Sequence, residues 1–456
     1  MHLIVVGGVA AGTKAAARAR RVNRDIAITL YQDESEVSYT GCGQPYYLSG
    51  LVPSREALII RRAADFNTDG IEVRLRHRVV NLNTQERSIE VRDLDRDKRE
   101  TVHYDRLILA TGARPVIPPV PGINLDGVVT LRTMDELDRF RSALDRLRPK
   151  DAVIVGGGYI GLEVAESLHA LGVTVTIVER LERLFPRLDG EMSQRVHDYL
   201  ISKGVNVILG DGLAEIIETA GRVAAVVMAS GRQLSAELVV LAIGIRPNVE
   251  LAKQGGIALG PTGAIAVDPR METNVKGVFA AGDCAESYHR LTQTPVWGPL
   301  GDIANLQGRV AGENAAGGDA RFPGILGTAI FKTFDLNVGI TGLTESAARE
   351  AGFNPITTVI GARDKARYFP GARELTLKLV AESNSGRLLG AQAIGPGAVD
   401  KMIDIAATAL LGNLGCRDLE NADLAYAPPF SPVLSPIIVA ASILSKKLGR
   451  PEAGYV

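Results

Sequence analysis

The sequence of 456 residues contains only three cysteines and one tryptophan, and neither sign of charge dominates. So few cysteines argue against a disulfide framework and favour a reducing, cytoplasmic location. The 51 basic and 52 acidic residues nearly cancel, so the charge balance suggests no nucleic-acid partner. Apolar runs such as Pro436–Leu444 fall well short of the roughly 18 residues that a membrane span requires. The chain begins directly with a strand-like run, so we expect no secretion signal. We also expect no membrane partner and no metal site.

Two segments of the chain share one pattern, in which a strand, a glycine-rich turn, a helix and a second strand follow in order. The first pattern begins at Leu3–Gly12 and ends with the strand 26–30. The second begins at Ala152–Gly161 and ends with the strand 173–178. This is the βαβ nucleotide-binding unit, present twice. We therefore predict an α/β fold with two Rossmann-like dinucleotide-binding domains.

The second glycine turn matches the dinucleotide fingerprint G-x-G-x-x-G. Its glycines permit a tight turn, close approach to a pyrophosphate and close packing of the helix on the strand. Glu179 ends the following strand, where a carboxylate binds the adenosine ribose and repels a 2′-phosphate. Arg180 and Arg183 lie nearby and keep NADPH open as an alternative to NADH. The fingerprint residues are Gly156, Gly158 and Gly161, and Gly244 closes this half of the chain.

The first turn departs from the fingerprint. Gly7 and Gly12 are present, but Val9 occupies the position of the middle glycine. Gln32, followed by Asp33, stands at the acidic position after the second strand. The position of this turn at the start of the chain, and its repetition downstream, support it as a nucleotide site, and we expect it to hold a flavin nucleotide.

Cys42 follows this first turn and lies between two glycines. A lone cysteine is most often a small buried hydrophobe, but a thiol at this distance from the turn can touch a flavin ring. Val37 and Tyr47, five residues to either side, exclude a C-x-x-x-x-C dithiol. We expect Cys284 and Cys416 to be structural. The second redox partner of Cys42 must therefore be an incoming sulfur or oxygen compound.

Together these motifs resemble the flavoprotein disulfide reductases with two dinucleotide-binding domains, and within them the single-cysteine group. That group includes coenzyme A disulfide reductases, NADH-dependent persulfide and polysulfide reductases, and NADH oxidases and peroxidases. The resemblance implies FAD in the first unit, NADH or NADPH in the second, and a C-terminal α+β dimerisation domain. The implied domains are residues 1–118 and 246–322 for FAD, 119–245 for NAD(P)H, and 323–456 for the dimer interface.

The resemblance also implies roles for residues that the chemistry alone would not single out. Asp283 would hold the ribityl chain, Tyr159 would cover the flavin until nicotinamide displaces it, and Glu163 would contact the carboxamide. The other residues that it assigns to FAD are Thr111, Gly112, Gly282 and Ala304.

Two tyrosines and a set of cations complete the expected site. Tyr426 lies in a Tyr-Ala-Pro-Pro motif whose tyrosine, by resemblance, reaches the Cys42 thiol of the partner subunit, which implies a homodimer. Tyr368 resembles a second such tyrosine, although Phe369 replaces one member of the usual doublet. Cations would bind the phosphates of coenzyme A, although a solvated face explains each one singly. The candidate substrate-binding residues are Lys14, Arg18, Arg21, Ser38, Arg61 and Arg62.

The expected function is FAD-dependent reduction of a CoA-type disulfide, persulfide or polysulfide by NAD(P)H through Cys42. For this chemistry we expect the site to lower the pKa of the thiol. The alternative is an NADH oxidase or peroxidase that cycles Cys42 through sulfenic acid, but Ala10 stands where that branch has its catalytic histidine. A non-catalytic flavin sensor or electron donor is a third possibility, and relatives of that kind lack the cysteine. No rhodanese-like segment follows in this sequence, so we expect any sulfur delivery to need a separate protein.

Overall fold

The computed structural model describes residues 1–448. Its strands are β1 (His2–Val6), β2 (Ala27–Tyr31), β3 (Ile71–Arg74), β4 (His77–Asn83), β5 (Ser88–Asp93), β6 (Lys98–His103), β7 (Arg106–Leu109), β8 (Ala113–Pro115), β9 (Val128–Val129), β10 (Asp151–Val155), β11 (Thr174–Glu179), β12 (Asn206–Leu209), β13 (Leu213–Thr219), β14 (Arg222–Met228), β15 (Gln233–Ser235), β16 (Leu238–Leu241), β17 (Ile245–Pro247), β18 (Val278–Ala280), β19 (Ser287–Tyr288), β20 (Pro295–Val296), β21 (Ala329–Thr333), β22 (Leu336–Gly342), β23 (Pro355–Arg363), β24 (Glu374–Glu382) and β25 (Leu388–Gly395). Its helices are α1 (Ala10–Val22), α2 (Gln44–Leu48), α3 (Ala63–Thr68), α4 (Met134–Leu147), α5 (Tyr159–Ala170), α6 (Gly190–Ser202), α7 (Glu250–Gln254), α8 (Gly301–Ala315), α9 (Glu345–Glu350), α10 (Val399–Leu411), α11 (Cys416–Glu420) and α12 (Pro436–Lys447).

The first sheet is parallel and has the strand order β18-β7-β1-β2-β3. Strand β1 is an apolar run that pairs with β2 on one side and β7 on the other. Its residues 3–6 are buried, as expected for a central strand covered on both faces. Helix α1 follows β1 and packs along α8, which returns to this unit from much later in the chain.

The second sheet repeats this arrangement with the order β12-β11-β10-β16-β9, and α5 connects β10 to β11. Strand β18 joins the first sheet only after the second sheet is complete. The second unit is therefore inserted into the first. The short strands β8 and β17 pair antiparallel where the chain leaves the first unit and returns to it.

The C-terminal sheet is antiparallel, with the order β21-β22-β25-β24-β23. The sequence predicts a hairpin here, because the turn residues 383–386 separate the apolar runs 375–380 and 388–394. The hairpin is present as β24 and β25, each slightly longer than its run. Helix α10 packs on β25 and β22, and α12 packs on β23 and β24. Phe331 and Val338 of this sheet lie in the same core as the second unit, so the sheet packs against that unit.

The predicted fold class is confirmed: two parallel α/β units are followed by a C-terminal α+β domain. The domain boundaries at residues 118, 245 and 322 stay predictions, and residues 449–456 of the last predicted domain lie outside the described residues. Within residues 1–448, no helix has both the length and the apolar character to cross a membrane. The same residues contain no cluster of histidine, cysteine and acidic side chains suited to a metal ion.

Candidate active site

A cavity of about 2470 Å³ opens at the carboxyl ends of both parallel sheets. It extends from the first glycine turn past Cys42 to the second glycine turn. The carboxyl edge of a parallel sheet is where dinucleotides bind in this class of fold, because the helix N-termini converge there. The structure thus brings the two predicted nucleotide sites and the predicted redox cysteine to one continuous space.

Both glycine turns are shaped so that only glycine fits their first position. Gly7 has φ +105° and Gly156 has φ +111°, in the region that side chains avoid. A Cβ atom on Gly7 would lie 2.1 Å from the carbonyl oxygen of Ala110, and one on Gly156 would lie 2.3 Å from that of Ala242. A Cβ on Gly158 would meet no protein atom within 4 Å, because this residue faces the cavity. The turns therefore have the free backbone surface that a pyrophosphate requires.

Gln32 and Glu179 occupy equivalent places in the two units and make the same contact. The Gly8 N–H donates to Gln32 Oε1 at 2.8 Å, and the Gly157 N–H donates to Glu179 Oε2 at 2.8 Å. Each side chain therefore fixes the turn of its own unit as well as lining the nucleotide site. Asp33, the neighbour of Gln32, pairs with Arg78 at 3.1 Å and also lines the cavity.

Glu34 lines the cavity too, and the sequence analysis missed it. Its carboxylate accepts hydrogen bonds from Gln32 Nε2 at 3.1 Å and from the Tyr39 hydroxyl at 2.9 Å. Burial raises the pKa of Glu34 to about 7. Only its place two residues after Gln32, at the end of β2, could have drawn attention to it.

The turn after β18 carries Asp283 to the cavity between the two units. Arg132, from the inserted unit, donates to its carboxylate at 2.5 Å, and Trp297 Nε1 donates to its main-chain carbonyl at 2.9 Å. Trp297 had no predicted role, and Arg132 was missed. Thr111 is tied to Asn248 by two hydrogen bonds, of 2.7 and 2.8 Å. The remaining predicted FAD residues that line the cavity are Gly112, Gly282 and Ala304, and Gly244 lines it on the NAD(P)H side.

Cys42 lies in a short 3₁₀ turn, Gly41–Gly43, directly before α2. Its side chain is exposed where it opens on the cavity, whereas Cys284 and Cys416 are buried. Although exposed, the sulfur is surrounded closely enough that burial, with a smaller contribution from Glu163, raises its pKa. Arg132 acts in the opposite direction. The expectation of a lowered pKa was wrong for the residues of this chain, because burial and the nearby carboxylates together outweigh Arg132.

Two predicted nicotinamide residues, Tyr159 and Glu163, begin α5 and face the same cavity as Cys42. Burial raises the pKa of Glu163 to about 7, against the effect of a 3.5 Å hydrogen bond from the Tyr46 hydroxyl. Tyr46, in α2, was not among the predicted site residues. The structure therefore places an acid of near-neutral pKa and a phenol beside the thiol.

Comparison with known proteins agrees with this geometry. The family model described as pyridine nucleotide-disulphide oxidoreductase matches residues 1–297, and the model of that family's dimerisation domain matches residues 328–436. The chain belongs to the pyridine nucleotide-disulphide oxidoreductase family. The family uses FAD and NAD(P)H, so this chain is a flavin-dependent oxidoreductase.

Several members of the family are similar to this chain over nearly its whole length. A protein of Pyrococcus abyssi named NAD(P)H sulfur oxidoreductase (CoA-dependent) is 39% identical over 97% of this chain and 98% of its own. A protein of Methanocaldococcus jannaschii named NADH oxidase is 35% identical over 99% of this chain and 100% of its own. The solved structure of a NAD-dependent persulfide reductase from A. fulgidus has a TM-score of 0.95 and 40% identity, and the match covers 98% of this chain and 83% of that one.

The residues of this oxidoreductase fit the two cofactors of the family. The glycine turns leave the space described above, and Gly12 and Gly161 let the helices approach the strands, since a Cβ on either would lie 2.0 Å or less from backbone oxygen. Bound FAD and NAD(P)H supply hydride and electron transfer. The chain supplies the glycine turns, Gln32 and Glu179 at the ends of β2 and β11, and the Cys42 thiol in the same cavity.

Tyr426 and Tyr368 do not line the cavity of their own chain. Both are exposed, to 48% and 76%, and Tyr426 lies in the loop before α12. The match to a dimerisation domain supports a homodimer. Contact between either tyrosine and a partner's thiol stays a prediction.

Most of the predicted substrate cations have partners on their own surface. Arg18 pairs with Glu313 at 2.6 Å, and Arg61 pairs with Asp69 at 2.7 Å. Arg21 donates to the carbonyl of Ala17 at 3.1 Å. Lys14 and Arg62 do not line the cavity either, whereas Ser38 does. The structure therefore does not gather these cations at Cys42 within one chain, and their role stays a prediction.

Proposed function

We propose that this oxidoreductase uses NAD(P)H and FAD to reduce a CoA-type disulfide, persulfide or polysulfide through Cys42. One observation carries the proposal: a single exposed cysteine opens on the cofactor cavity, while the other two cysteines of the chain are buried. With no second protein thiol at hand, Cys42 can form a disulfide only with an incoming sulfur compound. Similarity to proteins named as CoA-dependent sulfur oxidoreductase and persulfide reductase supports this substrate class.

The chemistry assigned to Cys42 is thiol–disulfide exchange. Its thiolate attacks one sulfur of a disulfide R–S–S–R, so that a mixed disulfide forms and one thiolate RS⁻ departs. Two electrons that originate in NAD(P)H then cleave the mixed disulfide, release the second thiol and restore Cys42. The balance is one disulfide, one NAD(P)H and one proton converted to two thiols and NAD(P)⁺.

We assign proton transfer to the departing thiolate to Tyr426 of the partner subunit, with Tyr368 as a second candidate. Their exposed phenols on the dimerisation domain support this assignment. Lys14, Arg18, Arg21, Ser38, Arg61 and Arg62 are proposed to bind an anionic thiol such as CoA; for Arg18 and Arg61 this requires exchange of their present carboxylate partners. NADH and NADPH both remain candidates, since Arg180 lines the cavity close to Glu179. A cytoplasmic location, and the absence of a nucleic-acid partner, remain part of this proposal.

The mass of the purified protein tests the proposal. We expect the intact mass to fall on treatment with dithiothreitol by the mass of one CoA, and Cys42→Ser to show no such loss. Cys42→Ser should also lose turnover of CoA disulfide or persulfide by at least about 10³-fold, because it removes the nucleophile. Tyr426→Phe should reduce that turnover by about 10²-fold, the contribution of one general acid. Flavin reduction by NADH should persist in both variants.

Similarity to a protein named NADH oxidase makes oxygen or peroxide reduction the second candidate. That activity would cycle Cys42 through sulfenic acid, and Ala10 offers no acid beside the thiol in the first turn. Turnover on peroxide alone, with no dithiothreitol-dependent mass loss, would replace the first proposal by this one.

A further inference from the structure

Tyr159 is held in the cavity from three directions. Its ring makes an edge contact with Phe185 at a centroid distance of 4.5 Å and another with Phe331 at 5.3 Å. Its hydroxyl accepts a hydrogen bond of 3.0 Å from Arg187 Nη1. The other terminal nitrogen of Arg187 donates to the carbonyl of Gly327 at 2.9 Å. Arg187 therefore ties the tyrosine to the backbone just before the C-terminal sheet.

The segment that carries Arg187 is itself fixed at both ends. At one end the Phe185 N–H donates to the carbonyl of Gly157 at 2.9 Å. At the other end Asp189 forms a buried ion pair with Lys378 at 2.8 Å and accepts from Gln392 Nε2 at 2.6 Å. The backbone on either side of Arg187 is therefore held in place, although the Arg187 side chain is exposed where it lines the cavity.

Tyr159 lies between the second glycine turn and Cys42 in the lining of the cavity. It is the first residue of α5, directly after Gly158, and Glu163 faces the same cavity one turn later. A dinucleotide with its pyrophosphate on this turn and its nicotinamide towards Cys42 would extend past the tyrosine ring. In that pose the ring would have to leave its contacts for nicotinamide to pass.

We propose that Arg187 is a positioning residue that holds Tyr159 in its resting place and so lowers the apparent affinity for NAD(P)H. The inference rests on the proposed function only in placing nicotinamide beside Tyr159. A protein whose binding-competent state is only partly populated binds its ligand more weakly by that fraction. The hydrogen bond from Arg187 stabilises the occluding position and reduces that fraction.

Anaerobic stopped-flow reduction of the holoenzyme by NADH tests the inference. The dependence of the rate on NADH concentration gives the Kd for NADH and the limiting rate separately. We expect Arg187→Met to lower the Kd about three- to tenfold, the effect of one net hydrogen bond, and to change the limiting rate less than twofold. Arg187→Lys, which keeps a charged donor, should restore the Kd in part.

A double-mutant cycle distinguishes this role from other effects of the substitution. Tyr159→Phe removes the same hydrogen bond from the other side, so the double variant should match either single variant. Arg195→Met, which removes an exposed charge on α6, should leave the Kd unchanged. A higher Kd in Arg187→Met would mean that Arg187 binds the dinucleotide, and would overturn the inference. An unchanged Kd in that variant, or additive effects of the two substitutions in the double variant, would equally overturn it. This half-reaction needs no sulfur substrate, so failure of the proposed sulfur chemistry would leave the test intact.

Discussion

At the scale of single residues, burial and the surrounding charges set the ionisation of Cys42. Glu163, Asp283 and Asp302 disfavour the thiolate, and Arg132 favours it, while burial is the largest effect and raises the pKa. Glu163 is the first of the carboxylates in this order, and its own pKa is raised by burial to about 7. The charge on Glu163 is thus present above neutral pH and absent below it.

Glu163→Gln should lower the pKa of Cys42, because it removes the carboxylate with the largest effect on the thiol. The pH dependence of alkylation at Cys42, followed by mass spectrometry, measures this pKa, and the two buried cysteines provide an internal reference. The difference from the wild type should fade below about pH 7, where Glu163 is already neutral. Asp302→Asn is the matched control and should shift the profile less. An unchanged or higher pKa in Glu163→Gln would contradict this electrostatic account.

At the scale of elements, the two halves of the FAD unit are joined by the close packing of α1 on α8. A Cβ on Gly308 would lie 2.3 Å from the carbonyl oxygen of Ala11, and one on Gly312 would lie 2.1 Å from that of Ala15. Small residues on both helices therefore allow their backbones to touch. This contact aligns the N-termini of both helices with the cavity.

Gly312→Ala should destabilise the protein, although alanine in an exposed helix position is normally the better residue. The added methyl group would overlap backbone, and overpacking of this kind costs about 1–3 kcal/mol. Thermal unfolding and the FAD content of the purified protein measure the effect. Gly190→Ala, at the open start of α6 with no neighbour within 4 Å, should leave both unchanged. An equal or higher Tm for Gly312→Ala would show that the two helices separate without cost.

At the scale of the whole molecule, a buried cation joins the inserted unit to the C-terminal sheet. Lys378, in β24, is 1% exposed and contacts Asp189 at 2.8 Å, Glu345 at 3.2 Å and also Glu191. Burial alone would lower the pKa of Lys378, but the hydrogen bonds that it donates to Asp189 and Glu191 raise it. Burial would likewise raise the pKa of Asp189, but hydrogen bonds from Lys378 and Gln392 lower it. Both groups are therefore charged across the neutral range.

Lys378→Met should lower the free energy of unfolding by about 3–5 kcal/mol, because it leaves the buried carboxylate of Asp189 without its cation. In the wild type, this stabilisation should be lost as the pH falls from about 4, the ordinary pKa of an aspartate, through the lowered pKa of Asp189, and as the pH rises from about 10.4 through the raised pKa of Lys378. Unfolding by denaturant across pH measures both limits. Lys203→Met removes an exposed pair with Asp335 between the same two parts of the molecule and should cost much less than Lys378→Met. Similar losses in the two variants would contradict a special role for the buried cluster.

Features that depend on local pattern could be predicted from the residues alone. Strand periodicity predicts the two βαβ units, and positions where only glycine fits mark their turns. The spacing of the cysteines shows that no second thiol lies near Cys42 in the sequence. The hairpin of β24 and β25 could also be predicted from the sequence, because turn residues separate two apolar runs. The cofactors and the reaction class followed from the family that these motifs resemble.

Contacts between side chains that are distant in sequence became visible only in the folded chain. Arg132 reaches Asp283, Arg187 reaches Tyr159, and Lys378 gathers carboxylates from two units, yet no local pattern marks any of these residues. The direction of the Cys42 pKa shift could not be predicted from the sequence either, because burial and charges from four separate segments set it. Local pattern fixes what a residue can do, whereas its neighbours after folding fix its ionisation and its partners.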